Sequence, residues 1–274
     1  ILAGAKPVLV DVDPETFNIS LDAMKKKLTP KTKAIVPVHV SGRPADMKAI
    51  LQFAKEHSLW VVEDAAEALL SGSGGKFLGS FGDAGCFSFS PNKTVMTGQG
   101  GMVVTDNERL HVRLREIKDQ GRPARGTGGD DVHSSIGFNL KLTNVQAAIG
   151  LAQLAELKTR THRQKRIYEI YASELQGLKG IKIMPFDLAG GEIPQWTDAF
   201  SEARDPLCEY LSGKGIGYRK FWHPLHRQKP YLAADDTFPV STQLMPKAFW
   251  LPSAFTLSDG NILEVCSAIK GFLK

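Results

Sequence analysis

The chain has few cysteines and no long apolar run. Only three of its 274 residues are cysteine (Cys86, Cys208 and Cys266), and no Cys-x-x-Cys or Cys/His spacing connects them. This argues against a disulfide framework and a zinc site, and it favours a reducing, cytoplasmic setting. No apolar stretch approaches the ~18–20 residues of a transmembrane helix. No signal peptide is recognisable either, so we expect no membrane partner.

The sequence also lacks a strong excess of charge of one sign. The net charge is only +5, and the 34 basic and 29 acidic side chains are spread along the chain. Nucleic-acid-binding proteins concentrate basic residues in a patch or stripe, so we expect no nucleic-acid partner. A mild positive charge is compatible with anionic small molecules. With 42% hydrophobic residues, the chain is long enough for one large domain, or for a large and a small one.

Strand-like and helix-like segments alternate in the first part of the chain. Apolar runs predict strands at residues 6–13, 33–40, 59–64, 84–90 and 100–106, and helical spacing predicts helices at 20–28, 46–58 and 107–121. Ser20 is expected to cap the first helix. The alternation predicts an α/β fold with a mostly parallel central sheet flanked by helices. The opening "ILAGAKPVLVDVD" has no starting Met and runs straight into a strand, so we expect the N-terminal part of the domain to be missing.

The second part of the chain predicts a smaller unit. Residues 143–178 form one long helical pattern, which Thr143 is expected to cap and which leads out of the first domain. The rest mixes short strand and helix patterns and ends in a helix at 259–272. We therefore place a large domain at 1–158 and a smaller C-terminal α/β domain at 159–274. The polar, Gly-rich loop at 121–135 is long enough to indicate a function.

Three side chains of types that bind ligands or take part in catalysis lie near predicted strand ends, where open α/β sheets bind their ligands. Lys93 lies in "CFSFSPNKTVMTGQGG", between an apolar strand and a glycine turn. It is either a solvated loop lysine or an amine whose lowered pKa lets it attack a carbonyl. Asp64 ends an apolar strand and is either the cap of a following helix or a buried carboxylate with a cationic partner. Ser88 alternates with two phenylalanines and so faces the other side of its strand.

The central block carries a more specific pattern. Residues 61–110, "VVEDAAEALLSGSGGKFLGSFGDAGCFSFSPNKTVMTGQGGMVVTDNERL", closely resemble the DegT/DnrJ/EryC1/StrS family of pyridoxal-phosphate (PLP) nucleotide-sugar aminotransferases. Members typically read E-D-A-A-(H/Q)-A, G-S-F-G-D-x-G-C-F-S-F, P-x-K and T-G-E-G-G, in this order and at this spacing. The resemblance continues at 36–47 and 137–150, and more loosely at 222–226 and 251–259. It implies the PLP-dependent transferase fold type I, with residues 1–158 as the PLP-binding domain.

The same resemblance implies roles for five residues. Lys93 is the lysine that forms the internal Schiff base with PLP and later carries a proton between the substrate carbon and the cofactor. Asp64 pairs with the protonated pyridine nitrogen. Ser88 reaches the cofactor phosphate, and Asn139 reaches the phosphate of a neighbouring subunit in a homodimer. Glu67 stands where relatives usually have His or Gln facing the cofactor ring, and a carboxylate there alters the charge near the ring oxygen.

Four further residues are candidates for substrate binding. His39 ends a predicted strand and is either a core histidine or a substrate contact. Arg219, His223 and His226, in "GYRKFWHPLH", are candidates for binding a substrate diphosphate, because arginine suits phosphate. The alternative for this segment is a solvated edge above buried aromatic side chains. Gln99 replaces the Glu that is frequent in the T-G-E-G-G motif.

The resemblance predicts transamination of a nucleotide-diphosphate keto-sugar, namely a 4-keto-6-deoxyhexose, with glutamate as amino donor. One alternative is a sugar 3-dehydratase, but those relatives replace the lysine with histidine. Another is a catalytically silent sensor or scaffold, since fold alone does not give function. The family holds the cofactor phosphate with an upstream turn at a helix start, which residues 1–274 do not contain. We therefore expect these residues alone to bind the cofactor weakly.

Overall fold

The structure is a computed structural model that describes residues 1–123 and 131–274. The predicted functional loop at 121–135 thus lies partly outside the described residues. Along the first half of the chain run α1 (Leu21–Lys26), β1 (Ala34–Ile35), α2 (Met47–Glu56), β2 (Trp60–Asp64), β3 (Gly72–Ser73), β4 (Lys76–Phe77), β5 (Ala84–Ser88), β6 (Gly101–Val104) and α3 (Glu108–Lys118). Ser20 caps α1 as predicted, its hydroxyl accepting from the amide of Ala23.

The first sheet has the strand order β1-β2-β5-β6. Strands β1 and β2, and β2 and β5, pair in parallel, whereas β5 and β6 are antiparallel. The prediction of a mostly parallel sheet is confirmed. The connection from β5 to β6 has no crossover helix, so these two strands must run in opposite directions. This connection holds Lys93 and therefore starts at the carboxyl end of β5.

Two local predictions fail in this half, and one of the two alternatives for Asp64 is ruled out. Residues 6–13 do not form a ladder; in the described part of the chain they make only an isolated bridge, Val12 to Ile19. The strand predicted at 33–40 shortens to β1 and a bridge from Val38 to Asp64, because Pro37 between them has no amide N–H for a ladder. Residues 65–70 form turns rather than a helix. Asp64 is thus not a helix cap; its Oδ1 accepts from the amide of Ala66 in a local turn.

The second half contains α4 (Asn144–Ala155), α5 (Leu157–Glu174), β7 (Lys182–Ile183), β8 (Thr197–Phe200), α6 (Arg204–Gly213), β9 (Arg219–Lys220), α7 (Pro239–Leu244), β10 (Ala248–Leu251) and α8 (Asp259–Leu273). The single helix predicted at 143–178 is interrupted at Glu156, between α4 and α5. Thr143 caps α4 through a capping box with Gln146, as expected. The predicted final helix corresponds to α8.

The second sheet is antiparallel, with the order β7-β8-β10-β9. Helices α5, α6 and α8 cover it, and their buried side chains include Tyr171, Leu207 and Ile262 around Phe249 of β10. A separate apolar cluster around Ile50 packs α2 against the first sheet. Each sheet therefore has its own core. The division at 158/159 stays a prediction, and α5 crosses it.

Residues 1–123 and 131–274 contain neither a membrane-spanning helix nor a cluster of metal ligands. None of the helices in these ranges is long and apolar enough to cross a membrane. Nor do His, Cys, Asp and Glu side chains within them gather in a group of three or more that could hold a metal ion.

Candidate active site

The carboxyl end of β2 is fixed by a buried carboxylate. Glu63 is fully buried, and its two oxygens accept hydrogen bonds from the amides of Gly79, Phe81 and Gly82 at 2.8, 2.6 and 2.6 Å. These amides belong to the "GSFG" segment of the family-like motif, so the motif builds a backbone cradle for Glu63. Because successive strand residues face opposite sides, holding Glu63 on one side turns Asp64 toward the other.

His39 completes this cluster. Its Nε2 lies 2.9 Å from Glu63, and its Nδ1 accepts the amide of Ala45, which makes Nε2–H the donor. Burial by itself would raise the pKa of Glu63, but the hydrogen bonds from His39, Gly82 and Gly79 outweigh it and lower that pKa. The His39 ring is fully buried with both nitrogens bonded, so it has no free polar atom for a substrate. The structure thus favours the core-histidine alternative over the predicted substrate contact.

Asp64 is placed differently from its neighbour. It is half-buried and pairs across the sheet with Cys86 of β5. Within the described residues, the amide of Ala66 is the hydrogen-bond donor to its carboxylate, 3.0 Å from Oδ1. No described residue donates a hydrogen bond to its Oδ2, and a carboxylate oxygen without a donor at the end of this strand suits a cationic partner such as a protonated pyridine nitrogen.

Lys93 lies close to a second acid beside this edge. Its Nζ is 3.7 Å from Glu67 Oε1 and 4.8 Å from the centre of the Trp196 ring, and its side chain is only 11% exposed. Burial lowers the pKa of Lys93, although the Glu67 and Asp64 carboxylates oppose this change. A partly desolvated amine with a lowered pKa is the state that a nucleophilic lysine needs, and it argues against a solvated loop lysine.

Glu67 is buried with few partners. Its Oε2 accepts the amide of Ser41 at 2.9 Å, while 3.7 Å from Lys93 is too long for a good hydrogen bond. Burial raises the pKa of Glu67, and the nearby Lys93 charge and the Ser41 amide only partly counter it. The Ser41 hydroxyl donates to Asp198 at 2.9 Å, and Arg43 also binds Asp198. A buried polar chain thus runs from Glu67 into the second sheet.

Sequence reasoning missed this chain of partners. Ser41 has φ 55°, the left-handed region that non-glycine residues rarely adopt and that often marks functional segments. Asp198 lies on β8, 157 residues from Ser41, so no local pattern connects them. The only available signal was the family-like "VSGRP" segment, which holds Ser41 and Arg43 but names neither as a partner of Glu67.

Ser88 and the glycine turn flank the Lys93 segment. The Ser88 hydroxyl, at the end of β5, donates to Ser90 Oγ at 3.0 Å. Gly98 has φ 76° with no atom within 4 Å of a built Cβ, so its glycine is required by the turn's backbone and not by crowding. Ser88 is two residues from the partner of Asp64 in the sheet register, which puts both side chains near one edge. Its contact with a phosphate stays a prediction.

Aromatic side chains connect the lysine to one predicted substrate residue. Trp196 packs against Trp250 with ring centres 4.5 Å apart, and the guanidinium of Arg219 lies 4.9 and 5.0 Å from the rings of Trp222 and Trp250. Arg219 and Trp222 are both exposed. Arg219 is therefore connected to Lys93 through the packed rings of Trp250 and Trp196. Sequence reasoning did not predict this connection.

The other three candidate residues are His226, His223 and Asn139. His226 is buried; its ring stacks on Phe238, and its Nε2 lies 3.1 Å from both Asp235 and Thr242. This favours a structural role over the predicted diphosphate contact. His223 is exposed. Asn139 is also exposed and forms an isolated bridge with Asp119 at the end of α3, so its role toward a neighbouring subunit stays a prediction.

This donor set fits the chemistry of PLP. Lys93 offers a partly buried amine with a lowered pKa, and Asp64 offers an open carboxylate oxygen at the carboxyl end of a sheet strand. Ser88 adds a hydroxyl near the same edge. In open α/β sheets this edge is where ligands bind.

Comparison with known proteins supports this interpretation. The sequence matches the DegT/DnrJ/EryC1/StrS aminotransferase family over residues 1–270. GDP-perosamine synthase of Escherichia coli O157:H7 is 37% identical over 273 residues, which cover 98% of this chain and 73% of that protein. The UDP-N-acetyl-3-dehydro-alpha-D-glucosamine 3-aminotransferase of Acidithiobacillus ferrooxidans is 34% identical over 281 residues, which cover 98% of this chain and 72% of that protein.

A solved structure agrees with the sequence match. The crystal structure of a DegT DnrJ EryC1 StrS aminotransferase from Brucella abortus has a TM-score of 0.89 and 30% identity, covering 99% of this chain and 74% of that one. The predicted fold type, the aminotransferase class and PLP as the cofactor are thereby confirmed. The chain belongs to the DegT/DnrJ/EryC1/StrS aminotransferase family.

Proposed function

We propose that the protein transfers an amino group from glutamate to a nucleotide-diphosphate keto-deoxysugar, namely a 4-keto-6-deoxyhexose. The observation that carries this proposal is the pair formed by the partly buried Lys93 amine and the Glu67 carboxyl group, which lies beside Asp64. Lys93 Nζ is 3.7 Å from Glu67 Oε1. The two relatives described above are named for GDP- and UDP-linked sugars. They support the nucleotide-sugar class and differ in the sugar.

In this proposal Asp64 keeps a proton on the pyridine nitrogen. PLP, when bound, supplies an electron sink for the carbanion that forms at the amino-bearing carbon. A carboxylate with a free Oδ2 favours the protonated, cationic form of a nitrogen placed against it. The hydrogen bond from Ala66 to Oδ1 fixes the plane of the carboxyl group, so the free oxygen has a defined direction.

Lys93 acts as nucleophile and as proton carrier. Its amine attacks a carbonyl carbon only in the neutral form, and burial brings that form within reach by lowering the pKa. When the Lys93 amine is not bonded to the cofactor, its neutral Nζ accepts a proton from the amino-bearing carbon of the amino donor and later gives it up again. The Glu67 carboxylate 3.7 Å away holds the ammonium form in place and opposes its deprotonation.

On the substrate side, Arg219 is the side chain that we assign to the diphosphate. Its guanidinium lies close to the rings of Trp222 and Trp250, which restrict its movement, and the residue is exposed to solvent. Guanidinium groups bind phosphate oxygens in pairs. The exposed Trp222 beside it offers an apolar face for the sugar or the base.

We also propose a homodimer. Ile136, Phe138, Leu140, Val145 and Leu151 are apolar and well exposed, along a stretch that includes Asn139. Several large apolar side chains exposed along one stretch of the chain indicate a contact site. A second copy of the chain that covers it would bring Asn139 toward the neighbouring site. Sedimentation of the cofactor-loaded protein as a monomer would contradict this part of the proposal.

The decisive experiment incubates the protein with PLP, glutamate and a panel of GDP-, UDP- and dTDP-linked keto-sugars, and detects aminated products by mass spectrometry. We expect amination of a 4-keto-6-deoxyhexose. Amination of simple keto acids but of no sugar would overturn the substrate class. Release of water from the sugar instead would indicate the dehydratase. Cofactor binding without any loss of its visible absorbance on addition of glutamate would indicate the silent sensor.

A further inference from the structure

Side chains from α5 and from the segment before β8 form hydrogen bonds with the residues on both sides of Lys93. The buried Thr94 hydroxyl donates to Gln195 Oε1 at 2.8 Å and accepts from Gln164 Nε2 at 3.0 Å. Gln195 Nε2 also donates to the carbonyl of Asn92 at 3.2 Å. The residues immediately before and after Lys93 are thus each bonded to Gln195.

A third side chain completes the set. Arg160 of α5 donates through Nη1 to the carbonyl of Thr94 at 3.0 Å, and its guanidinium lies 5.3 Å from the ring of Phe255. Gln195 is itself held, because its backbone amide donates to the carbonyl of Ser41 at 2.8 Å. Since Ser41 also binds Glu67, one connected hydrogen-bond network fixes both partners of the lysine–acid pair.

We propose that Gln195, Gln164 and Arg160 are positioning residues that hold the Lys93 amine at its working place through Thr94 and Asn92. All three belong to the predicted C-terminal domain, whereas Lys93 belongs to the PLP-binding domain. The arrangement thus makes the position of the lysine depend on how the two parts pack. The turn is exposed at Asn92 and is followed by the glycines at 98, 100 and 101, which restrict the backbone little, so these bonds add rigidity to it.

The geometry explains why a side-chain hydroxyl stands next to the lysine. The hydroxyl of Thr94 donates one hydrogen bond and accepts another, and such chains strengthen one another in a buried site. Valine has the shape of threonine without the hydroxyl, so Thr94→Val removes both bonds and leaves Gln195 Oε1 without its donor and Gln164 Nε2 without its acceptor. Serine restores the hydroxyl, so Thr94→Ser is the matched conservative variant.

The test measures the lysine itself, without substrate. The full chain is freed of PLP, treated with traces of acetic anhydride over a range of pH, and analysed by peptide mass spectrometry, with the exposed Lys48 as an internal reference. Burial lowers the pKa of Lys93. A loosened segment exposes the amine and removes this effect, so we expect the labelling midpoint of Lys93 in Thr94→Val to move to higher pH than in wild type, and that in Thr94→Ser to stay near wild type.

With PLP restored, we expect Thr94→Val to lose about 10- to 100-fold in kcat with a smaller change in KM, since misplacing a catalytic group by about 1 Å has effects of this size. An unchanged labelling midpoint would overturn the proposal, even if the variant were less stable to urea. If Thr94→Val does not fold, Arg160→Ala gives the same two measurements, because Arg160 is only half-buried.

This inference rests on the proposed role of Lys93, and the two fail separately. Full turnover in Lys93→Ala would reject the catalytic role whatever the labelling shows. An unmoved midpoint in Thr94→Val, with Lys93→Ala inactive, would reject only the positioning role of the three side chains.

Discussion

Glu63 and Glu67 are two buried glutamates four residues apart, and their surroundings differ sharply. Glu63 accepts hydrogen bonds from three amides and from His39, and these bonds lower its pKa despite burial. Glu67 accepts one amide and faces Lys93 at 3.7 Å, and burial raises its pKa. A fully bonded carboxylate holds the fold together, whereas an incompletely bonded one beside an amine is available for chemistry.

The largest effect is expected when the Lys93 amine, which faces Glu67, is removed. Lys93→Ala eliminates nucleophile and proton carrier together, so transamination should fall by at least ~10³-fold. Turnover of the keto-sugar with glutamate measures this loss. Lys48→Ala, at an exposed position on α2, is the control and should keep its rate. A folded, cofactor-saturated Lys93→Ala protein with wild-type turnover would show that Lys93 has no catalytic role.

The second largest effect is expected when the fully hydrogen-bonded Glu63 carboxylate is removed. Glu63→Ala leaves His39 and three backbone amides buried without their acceptor, so the free energy of unfolding should fall by about 3–5 kcal/mol. Urea unfolding followed by circular dichroism measures it. Glu56→Ala, exposed on α2, should change stability little. A loss no larger than that of the control would mean that the cluster is not a structural anchor.

A smaller effect is expected at Asp64. Asp64→Asn keeps the shape but cannot stabilise a proton on a nitrogen placed against Oδ2. Loss of one charge-assisted hydrogen bond, worth about 1.5–3 kcal/mol, corresponds to roughly 10- to 100-fold in turnover at ~1.4 kcal/mol per tenfold. Cofactor titration and kcat measured together should show that catalysis suffers more than binding. Near-normal kcat would reduce Asp64 to a turn residue.

The two glutamates should also give opposite pH dependence of stability. The folded-state pKa of Glu63 lies below its ordinary 4.5, so its contribution is present above pH 4.5 and is lost as pH falls through the folded value. The pKa of Glu67 lies above 4.5, so its contribution is present below 4.5 and is lost as pH rises through the folded value. Unfolding free energies of wild type, Glu63→Gln and Glu67→Gln between about pH 2 and 8 measure both slopes, and slopes of the same sign would refute the contrast.

The smallest effect concerns the amine alone. The Glu67 charge raises the pKa of Lys93 against the effect of burial, so Glu67→Gln should move the acetic-anhydride labelling midpoint of Lys93 to lower pH. Glutamine can still accept the Ser41 amide, so the free energy of unfolding should change by only about 1 kcal/mol. A midpoint that moves up, or not at all, would show that Glu67 does not act on Lys93.

The mostly parallel sheet, and the positions of Lys93 and Asp64 beside its carboxyl edge, could be predicted because they depend on local signals. The alternation of apolar runs predicted β2 and β5, and the family-like motifs selected Lys93 and Asp64. Predictions failed where a neighbour decides the outcome: residues 6–13 lack a ladder partner within the described residues, and Pro37 divides a predicted strand. His39 carried two interpretations until the structure placed Glu63 and Ala45 against its ring nitrogens.

The sequence by itself determined the order of elements, the glycine turn and the residue types at the strand ends, because these follow from side-chain periodicity and backbone preference over a few residues. Only the tertiary structure decided which glutamate is fully hydrogen-bonded and which faces the Lys93 amine with few partners. The cradle of Glu63 comes from residues 16 to 24 positions away, and Gln195 reaches Thr94 across 101 positions. Desolvation and hydrogen bonding depend on what lies nearby in space, which no local pattern contains.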